Sequence, residues 1–161
     1  MFTNPTYIIG AGPNGNAALQ HIPDGCTTIA LNGAHINRKW DIRLMYDCNC
    51  YRYRYYNEAV EDMLVGVRST IDNRFAYCLT LELAWGCTGA GYAIKWLAAE
   101  GVNNIVLCGV DMYGAHWDGT LSGQDGTWSQ RDKLQELIAN CPSNVYTISA
   151  TQLEIPTWHM K

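Results

Sequence analysis

The sequence has little charge and no cluster of basic residues. Only 16% of its 161 residues are charged, and the formal net charge at pH 7 is -4. Duplex DNA and anionic membranes both bind clustered positive charge, so neither nucleic acid nor a membrane surface is expected as the main partner. No apolar run is long enough to span a bilayer, which argues against an integral membrane protein. Internal repeats and low-complexity segments are absent too, and a hydrophobic share of 48% predicts a globular chain.

The length predicts a single domain over residues 1–161, with enough apolar surface for a core and little room for a second domain. The seven cysteines are odd in number, and no signal-peptide pattern follows Met1. Cys78 and Cys108 lie in apolar, strand-like runs, so we expect free buried thiols and a cytoplasmic location. Cys48 and Cys50 lack a second Cys/His pair at usable spacing, so no metal site is expected.

Short apolar or β-branched runs alternate with helical patterns along the chain, which is typical of βαβ units. The predicted strands are residues 6–9, 27–31, 42–46, 74–83, 104–107 and 145–149. The predicted helices are residues 16–21, 57–67, 88–100 and 128–139. Right-handed crossovers place such helices on both faces of a parallel sheet. The predicted fold class is therefore α/β, a Rossmann-like three-layer sandwich with a mainly parallel sheet.

A glycine-rich turn, Gly10-x-Gly12-x-x-Gly15, follows the first predicted strand. Such glycines let backbone amides approach a phosphate, as in FAD- and NAD-binding domains. Two features oppose that interpretation: the next helix is short before Pro23, and the second strand ends in Asn32, where dinucleotide sites carry a carboxylate. A turn that is rich in glycine for packing alone explains the pattern equally well.

Asn, Thr, Asp and Gly residues follow several predicted strands, and in open α/β sheets these carboxyl ends form the ligand crevice. Asn amides donate to and accept from ribose and phosphate, and Thr88 at a helix N-cap offers a hydroxyl to a phosphate. Each residue alone is a common turn former, so it is their convergence that predicts a ligand site. The residues are Gly12, Asn14, Asn32, Gly33, Asp47, Asn49, Thr88, Gly89, Gly109 and Asp111.

These segments resemble motifs of the bacterial glycosyltransferase family 42 sialyltransferases. Gly10-Ala11-Gly12-Pro13-Asn14 and the later Asn32 are similar to that family's Gly-Asn-Gly-Pro-Ser loop and its following Asn. Thr88-Gly89-Ala90-Gly91-Tyr92 and Gly109-Val110-Asp111-Met112-Tyr113 are similar to its Thr-Ser-Gly helix and Gly-Ile-Asp-Phe-Tyr element. The order of elements matches over most of the chain, and it is shared by other Rossmann-like proteins such as the MptE-like pterin pyrophosphokinases.

The resemblance implies a sialyltransferase-like glycosyltransferase, or a nucleotide-sugar-binding relative, that uses a CMP-type donor without a metal or other cofactor. The small-molecule partner is then a nucleotide-sugar. The implied nucleotide-binding residues are Gly10, Gly12, Asn14, Asn32, Thr88, Gly89, Gly109 and Asp111. In this resemblance Gly12 and Asn14 line the phosphate and ribose, and Gly109 and Asp111 border the base.

The resemblance also implies a catalytic set. Tyr113 would donate its hydroxyl to the departing phosphate, as a neutral acid can in metal-free group transfer. The base would be His116, whose imidazole suits neutral pH, or Asp125, which stands where the family places a catalytic His.

The chain departs from the family at Ala11, where the family has Asn, at Asp47, near a later family Asn, and in a shorter lid. Two alternatives therefore stand beside the transferase. One is a non-catalytic nucleotide-binding module that has lost the lid and the base, and the other is an FAD- or NAD-binding protein. The six Trp and ten Tyr residues are consistent with a sticky face and a homo-oligomer.

Overall fold

A computed structural model of the chain describes residues 2–31, 34, 40–45, 63–67, 77–79, 88–112 and 127–159. Within them the strands are β1 (Thr6–Ile9), β2 (Thr28–Leu31), β3 (Ile42–Met45), β4 (Met63–Val67), β5 (Tyr77–Leu79), β6 (Asn104–Cys108) and β7 (Asn144–Thr147). The helices are α1 (Gly15–Ala18), continued by a 3₁₀ turn over Leu19–His21, α2 (Gly89–Ala99) and α3 (Thr127–Ala139). None of these helices has the length and apolar character needed to cross a bilayer.

The strands form one parallel sheet in the order β5-β4-β3-β2-β1-β6-β7. From β1 the chain adds strands outward to β5, then crosses back and places β6 on the other side of β1. Tyr7 on β1 is paired with Val106 on β6. The strand order therefore reverses between β1 and β6, and ligands of open α/β sheets bind at the carboxyl ends of such a pair.

Both faces of the sheet are covered, which explains why the central strands are continuous apolar runs. One face packs against α2 and α3, and the other against α1. The core of the first face includes Ile8, Ile29, Leu44, Ala93, Leu97, Leu107 and Leu134. The core of the second face includes Tyr7, Ile9, Ala18, Ala30, Val106 and Cys108. The predicted α/β, Rossmann-like three-layer arrangement is confirmed.

Helix α2 has clear signals at both of its ends. Thr88 is the N-cap, and its Oγ1 accepts a hydrogen bond from Gly91 N at 3.3 Å. At the other end Gly101 adopts a φ of 78°. Its amide donates to Ala98 O at 3.1 Å, and the amide of Val102 donates to Leu97 O at 3.0 Å. This pair of bonds is the Schellman arrangement that a glycine permits, so the predicted end of this helix is confirmed.

The prediction of a helix over residues 57–67 is wrong where the structure describes it, because Met63–Val67 is strand β4. β4 lies between β3 and β5, with Leu64 opposite Arg43 and Gly66 opposite Cys78. A short apolar run does not distinguish a buried strand from a helix by its periodicity, and pairing with two neighbours decides the outcome.

Other boundaries move by a few residues. The predicted strand 27–31 begins at Thr28, and the predicted last strand 145–149 is Asn144–Thr147. Of the predicted strand 74–83, the structure describes Tyr77–Leu79. The predicted helix 16–21 is the short α1 with its 3₁₀ continuation.

The chain after β7 loops round and pairs, in the parallel sense, with the outer edge of that strand. Thr147 N donates to Pro156 O at 3.0 Å, and Trp158 N donates to Thr147 O at 2.7 Å. The rings of Trp158 and Tyr146 meet edge to face, with centroids 4.8 Å apart. The returning segment therefore covers part of an edge that would otherwise be open to pairing with another chain.

Candidate functional site

The turn after β1 is hydrogen-bonded to the end of β6, at the point where the strand order reverses. Gly10 N donates to Cys108 O at 2.8 Å, and Gly12 N donates to Gly109 O at 2.7 Å. Gly15 N closes the turn by donating to Gly12 O at 3.0 Å. Two segments that touch thus contain five of the predicted nucleotide-binding residues: Gly10, Gly12, Asn14, Gly109 and Asp111.

Glycine is required in this contact because the two backbones leave no room for side chains. A Cβ at Gly12 would lie 2.5 Å from Asp111 Cγ, and one at Gly15 would lie 2.8 Å from Gly109 Cα. A Cβ at Gly10 would collide with Gly109 O. Gly109 itself adopts a φ of 69°, which L side chains rarely take, and its Cβ would lie 2.7 Å from Gly10 O. Packing alone therefore accounts for the Gly-x-Gly-x-x-Gly pattern, so the pattern by itself does not indicate a dinucleotide.

Cys108 completes the contact as a buried free thiol, as predicted. Burial and the charge of Asp111 raise the pKa of Cys108 to about 12, so the thiol stays protonated at neutral pH. Its Sγ donates to Gly15 O at 3.5 Å. Cys26 and Cys141 are also free but only half-buried. No group of three His, Cys, Asp or Glu side chains that could hold a metal occurs among the described residues.

Asp111 is a buried carboxylate whose hydrogen bonding is incomplete. Its residue is only 2% exposed, and its Oδ2 accepts a hydrogen bond from Asn14 N at 2.8 Å. Its Oδ1 is buried and accepts no hydrogen bond within the part of the chain that the structure describes. Burial raises the pKa of the Asp111 carboxyl, and Asn14 and Ser149 oppose this shift only in part.

A third segment, residues 149–152 after β7, borders the same place. Ser149 Oγ accepts from Gly109 N at 2.8 Å, and Gln152 N donates to Asp111 O at 3.0 Å. Thr151 Oγ1 donates to the preceding carbonyl, Val110 O, at 2.8 Å. The sequence interpretation missed this segment, because it ended the last strand at Ser149 and gave no role to the residues after it. The signal that marks it is the short run of hydroxyl residues, Ser149 and Thr151, directly after a strand.

This segment is tied to the turn after β1 and to α3 as well. Asn14 Nδ2 donates to Ala150 O at 3.4 Å. Arg131 Nε on α3 donates to Gln152 O at 3.0 Å, and its guanidinium lies 3.5 Å from Glu154. Segments that are distant in the sequence therefore fix the surroundings of Asp111 from several sides.

Met112 adopts a φ of 61°, the left-handed region, although it is not glycine. Its partly buried side chain packs against the larger core cluster. Strained backbone of this kind costs about 1–3 kcal/mol and is concentrated at functional sites. It occurs here directly before Tyr113, the predicted acid.

Thr88 and Gly89 begin α2, which leads from β5 to β6. Since α2 connects two parallel strands, it begins at the carboxyl edge of the sheet, where β1 and β6 end. The Thr88 hydroxyl caps its own helix, as predicted, while Gly89 is buried at the first helical position.

Several predicted site residues lie outside the described residues. They are Asn32, Gly33, Asp47, Asn49, Tyr113, His116 and Asp125, together with Cys48 and Cys50. Strand β2, which precedes Asn32, ends at Leu31 beside β1. A crevice shared by Asn32, Thr88 and Asp111 stays a prediction.

Comparisons with known proteins point in the same direction as the motifs. No family model and no curated protein matches the sequence. The fold is similar to the crystal structure of the monofunctional alpha-2,3-sialyltransferase Cst-I from Campylobacter jejuni, with a TM-score of 0.59 and 15% sequence identity. The likeness covers 92% of this chain and 78% of that chain. The chain thus has a distantly sialyltransferase-like fold.

Gly109→Ala should destabilise the folded protein, because the turn after β1 lies so close to the end of β6. We expect it to lower the free energy of unfolding by about 2–5 kcal/mol, from a strained φ and a collision with Gly10 and Gly15. Gly101→Ala is the matched control, because Gly101 has a φ of 78° but open space around a Cβ. Its free energy of unfolding should fall by only about 1–2 kcal/mol. Urea titration of both variants and wild type measures the two losses. Equal losses would show that the contact tolerates a methyl group.

The buried Asp111 charge makes stability depend on pH in a definite direction. Because its pKa is raised in the folded state, the folded protein binds this proton more tightly than the unfolded chain does. Stability is therefore lost as the pH rises from about 4 through the raised pKa. Asp111→Asn removes this loss and keeps an acceptor for Asn14 N. At pH 7 the variant should therefore have a higher melting temperature than wild type.

The advantage of Asp111→Asn should shrink as the pH falls to about 4, where Asp111 becomes neutral in both states. Thermal unfolding of both proteins at pH 4 and pH 7 measures this difference in melting temperature. Asp132→Asn is the control, because that side chain is 70% exposed. A variant that melts below wild type at pH 7 would mean that the carboxylate stabilises the fold.

Proposed function

We propose that the protein is a sialyltransferase-like glycosyltransferase that takes a CMP-type nucleotide-sugar as donor and needs no metal. The observation that carries the proposal is the segment Gly109 to Met112. It resembles the sialyltransferase motif in sequence, and it ends the strand next to β1 at the reversal of strand order. The fold similarity to a sialyltransferase over 92% of the chain supports the same class.

The reaction would be a direct displacement at the anomeric carbon of the sugar. The bond between this carbon and the phosphate oxygen breaks, and an acceptor hydroxyl oxygen forms the new bond. His116 or Asp125 would take the proton of the acceptor. Tyr113 would donate a hydrogen bond to the departing phosphate, which is how charge on a leaving group is stabilised without a metal.

The described residues give this mechanism a rigid support. The glycine contact and the Asp111–Asn14 hydrogen bond of 2.8 Å fix the end of β6. Met112, which directly precedes Tyr113 in the sequence, has a left-handed backbone. A catalytic donor acts best when its position is set before the reaction, because no energy is then spent on moving it.

The competing interpretations have unequal support. A non-catalytic nucleotide-binding module would use the same site, and only chemistry separates it from a transferase. For an FAD- or NAD-binding protein the glycines are not a specific argument, because packing already requires them. A single domain over residues 1–161, a cytoplasmic location and a homo-oligomer stay predictions.

Nucleotide preference tests the donor class. A ligand that binds the native state stabilises it by about 2.7 kcal/mol at a hundred times its Kd. We expect CMP to raise the melting temperature more than AMP or NAD at equal concentration. A larger shift with NAD would favour the dinucleotide-binding protein, and equal shifts for all three would remove the case for a CMP-type donor.

The role of Tyr113 is tested by Tyr113→Phe. We expect it to slow hydrolysis of CMP-sialic acid by roughly a hundredfold, because the lost hydroxyl acts on the departing phosphate. The Kd for CMP should stay nearly unchanged, since that donor matters most in the transition state. Tyr146→Phe, on β7 against Trp158, is the control. Full activity of Tyr113→Phe would remove Tyr113 from the mechanism, and a wild type that binds CMP without hydrolysing the donor would favour the binding module.

A further inference from the structure

Three consecutive residues after β6 are each hydrogen-bonded to the third segment of the site, residues 149–152. The three bonds run from Gly109 N to Ser149 Oγ at 2.8 Å, from Thr151 Oγ1 to Val110 O at 2.8 Å and from Gln152 N to Asp111 O at 3.0 Å. Strand β6 ends at Cys108 and β7 ends at Thr147, so all three bonds lie beyond the paired strands. Two of them use a side-chain hydroxyl, which here takes the part that backbone groups play within a sheet.

The two hydroxyl residues are themselves held in place. Thr147 Oγ1 donates to Ser149 O at 2.7 Å, and Ser149 N donates back to the same Thr147 oxygen at 3.1 Å. Leu153 N donates to Thr151 Oγ1 at 3.2 Å, and Leu153 is buried in the core. The Thr151 hydroxyl is therefore bonded to its own segment on one side and to Val110 O on the other. A support that is anchored in this way can set the position of the chain it contacts.

The supported residues lie between two residues with left-handed backbone. Gly109 has a φ of 69° and Met112 a φ of 61°. The two residues between them accept hydrogen bonds from the third segment. Left-handed backbone at a residue other than glycine is sparsely populated, and it persists where the surrounding structure determines it. Tyr113, the proposed donor to the departing phosphate, follows Met112 in the sequence.

We propose that Ser149 and Thr151 are positioning residues for the transfer, which act through the backbone of Gly109 to Met112 on the place of the Tyr113 hydroxyl. This inference rests on the proposed function and extends it to a part of the chain for which the family resemblance implies no role. Neither hydroxyl acts on the substrate itself, so its loss displaces a catalytic donor without removing it. Such a displacement lowers the rate more than the affinity, because the donor matters most in the transition state.

The first test is Thr151→Val, which keeps the shape of the side chain and removes the donor to Val110 O. We expect kcat for hydrolysis of CMP-sialic acid to fall roughly tenfold, while the Kd for CMP stays within about twofold of wild type. Thr151→Ser keeps a hydroxyl and should restore most of the rate. Thr157→Val is the matched control, since Thr157 is exposed and lies further along the same returning chain. An unchanged kcat in Thr151→Val would overturn the inference.

A double-mutant cycle shows whether Thr151 acts through Tyr113. If it does, Thr151→Val should slow the Tyr113→Phe variant by less than about twofold, because the hydroxyl that it positions is already gone. A merely structural role does not produce this result when all proteins are assayed well below their melting temperatures. A second loss of roughly tenfold on top of Tyr113→Phe would mean that Thr151 acts elsewhere, and the inference would be wrong.

Ser149→Ala repeats the cycle at the other hydroxyl, so the test stands if Thr151→Val fails to fold. This variant removes the acceptor of Gly109 N. The same fall in kcat is expected, again with little further loss in the Tyr113→Phe background. Ser149 also lowers the pKa of the Asp111 carboxyl, so the comparison is made across a range of pH. If neither variant folds at the assay temperature, the segment serves the fold alone and the inference is wrong.

A measurement without substrate separates the inference from the proposed function. Hydrogen exchange at the Met112 amide should be roughly tenfold faster in Thr151→Val and unchanged in Thr157→Val, because a lost hydrogen bond frees the adjoining backbone. Equal exchange in Thr151→Val and wild type would overturn the inference, even if the protein hydrolyses CMP-sialic acid. If exchange behaves as expected but wild type binds CMP without hydrolysing the donor, the proposed function fails and the inference fails with it.

Discussion

The contact between the turn after β1 and the end of β6 determines the arrangement of the site. Three glycines of one segment meet Gly109 of the other at distances that exclude any Cβ. This approach lets Gly10 N and Gly12 N donate across the gap to β6, at 2.8 and 2.7 Å. It also places Asp111 beside Asn14, which would be impossible with a side chain at Gly12. The sheet could pair β1 with β6 without this contact, but the carboxylate would then not reach the turn.

The energetic costs of the structure are concentrated within a few residues of this contact. Asp111 is buried with one oxygen lacking a donor among the described residues, and Met112 has a φ of 61°. Each of these features costs of the order of 1–3 kcal/mol, which the surrounding core must offset. Proteins that fold for stability alone replace such features, and they persist where a ligand or a reaction uses them. Their location at the reversal of strand order is therefore the best physical argument that this edge is functional.

How much the sequence could predict depends on how local each signal is. The strand 6–9 and the helix that Thr88 begins are marked by their own residues, so both were predicted closely. Strand β4 was predicted as a helix, because only its pairing with two other strands decides its conformation. The third segment of the site, residues 149–152, was missed for the same reason, since Ser149 contacts Gly109 from 40 residues away in the sequence. The glycines were found, but one pattern serves both phosphate binding and close packing, and only coordinates separate the two.

The electrostatics of the whole chain agree with a turn that does not bind phosphate. Dinucleotide sites use the glycine-rich turn as a source of amides for a pyrophosphate, and the adjoining helix adds a favourable dipole. Here α1 has only four residues, so its dipole is small, and the turn's amides at residues 10, 12, 14 and 15 already have protein acceptors. The net charge of -4 gives no general attraction for polyanions. A phosphate bound at this edge would then depend on groups other than these four amides.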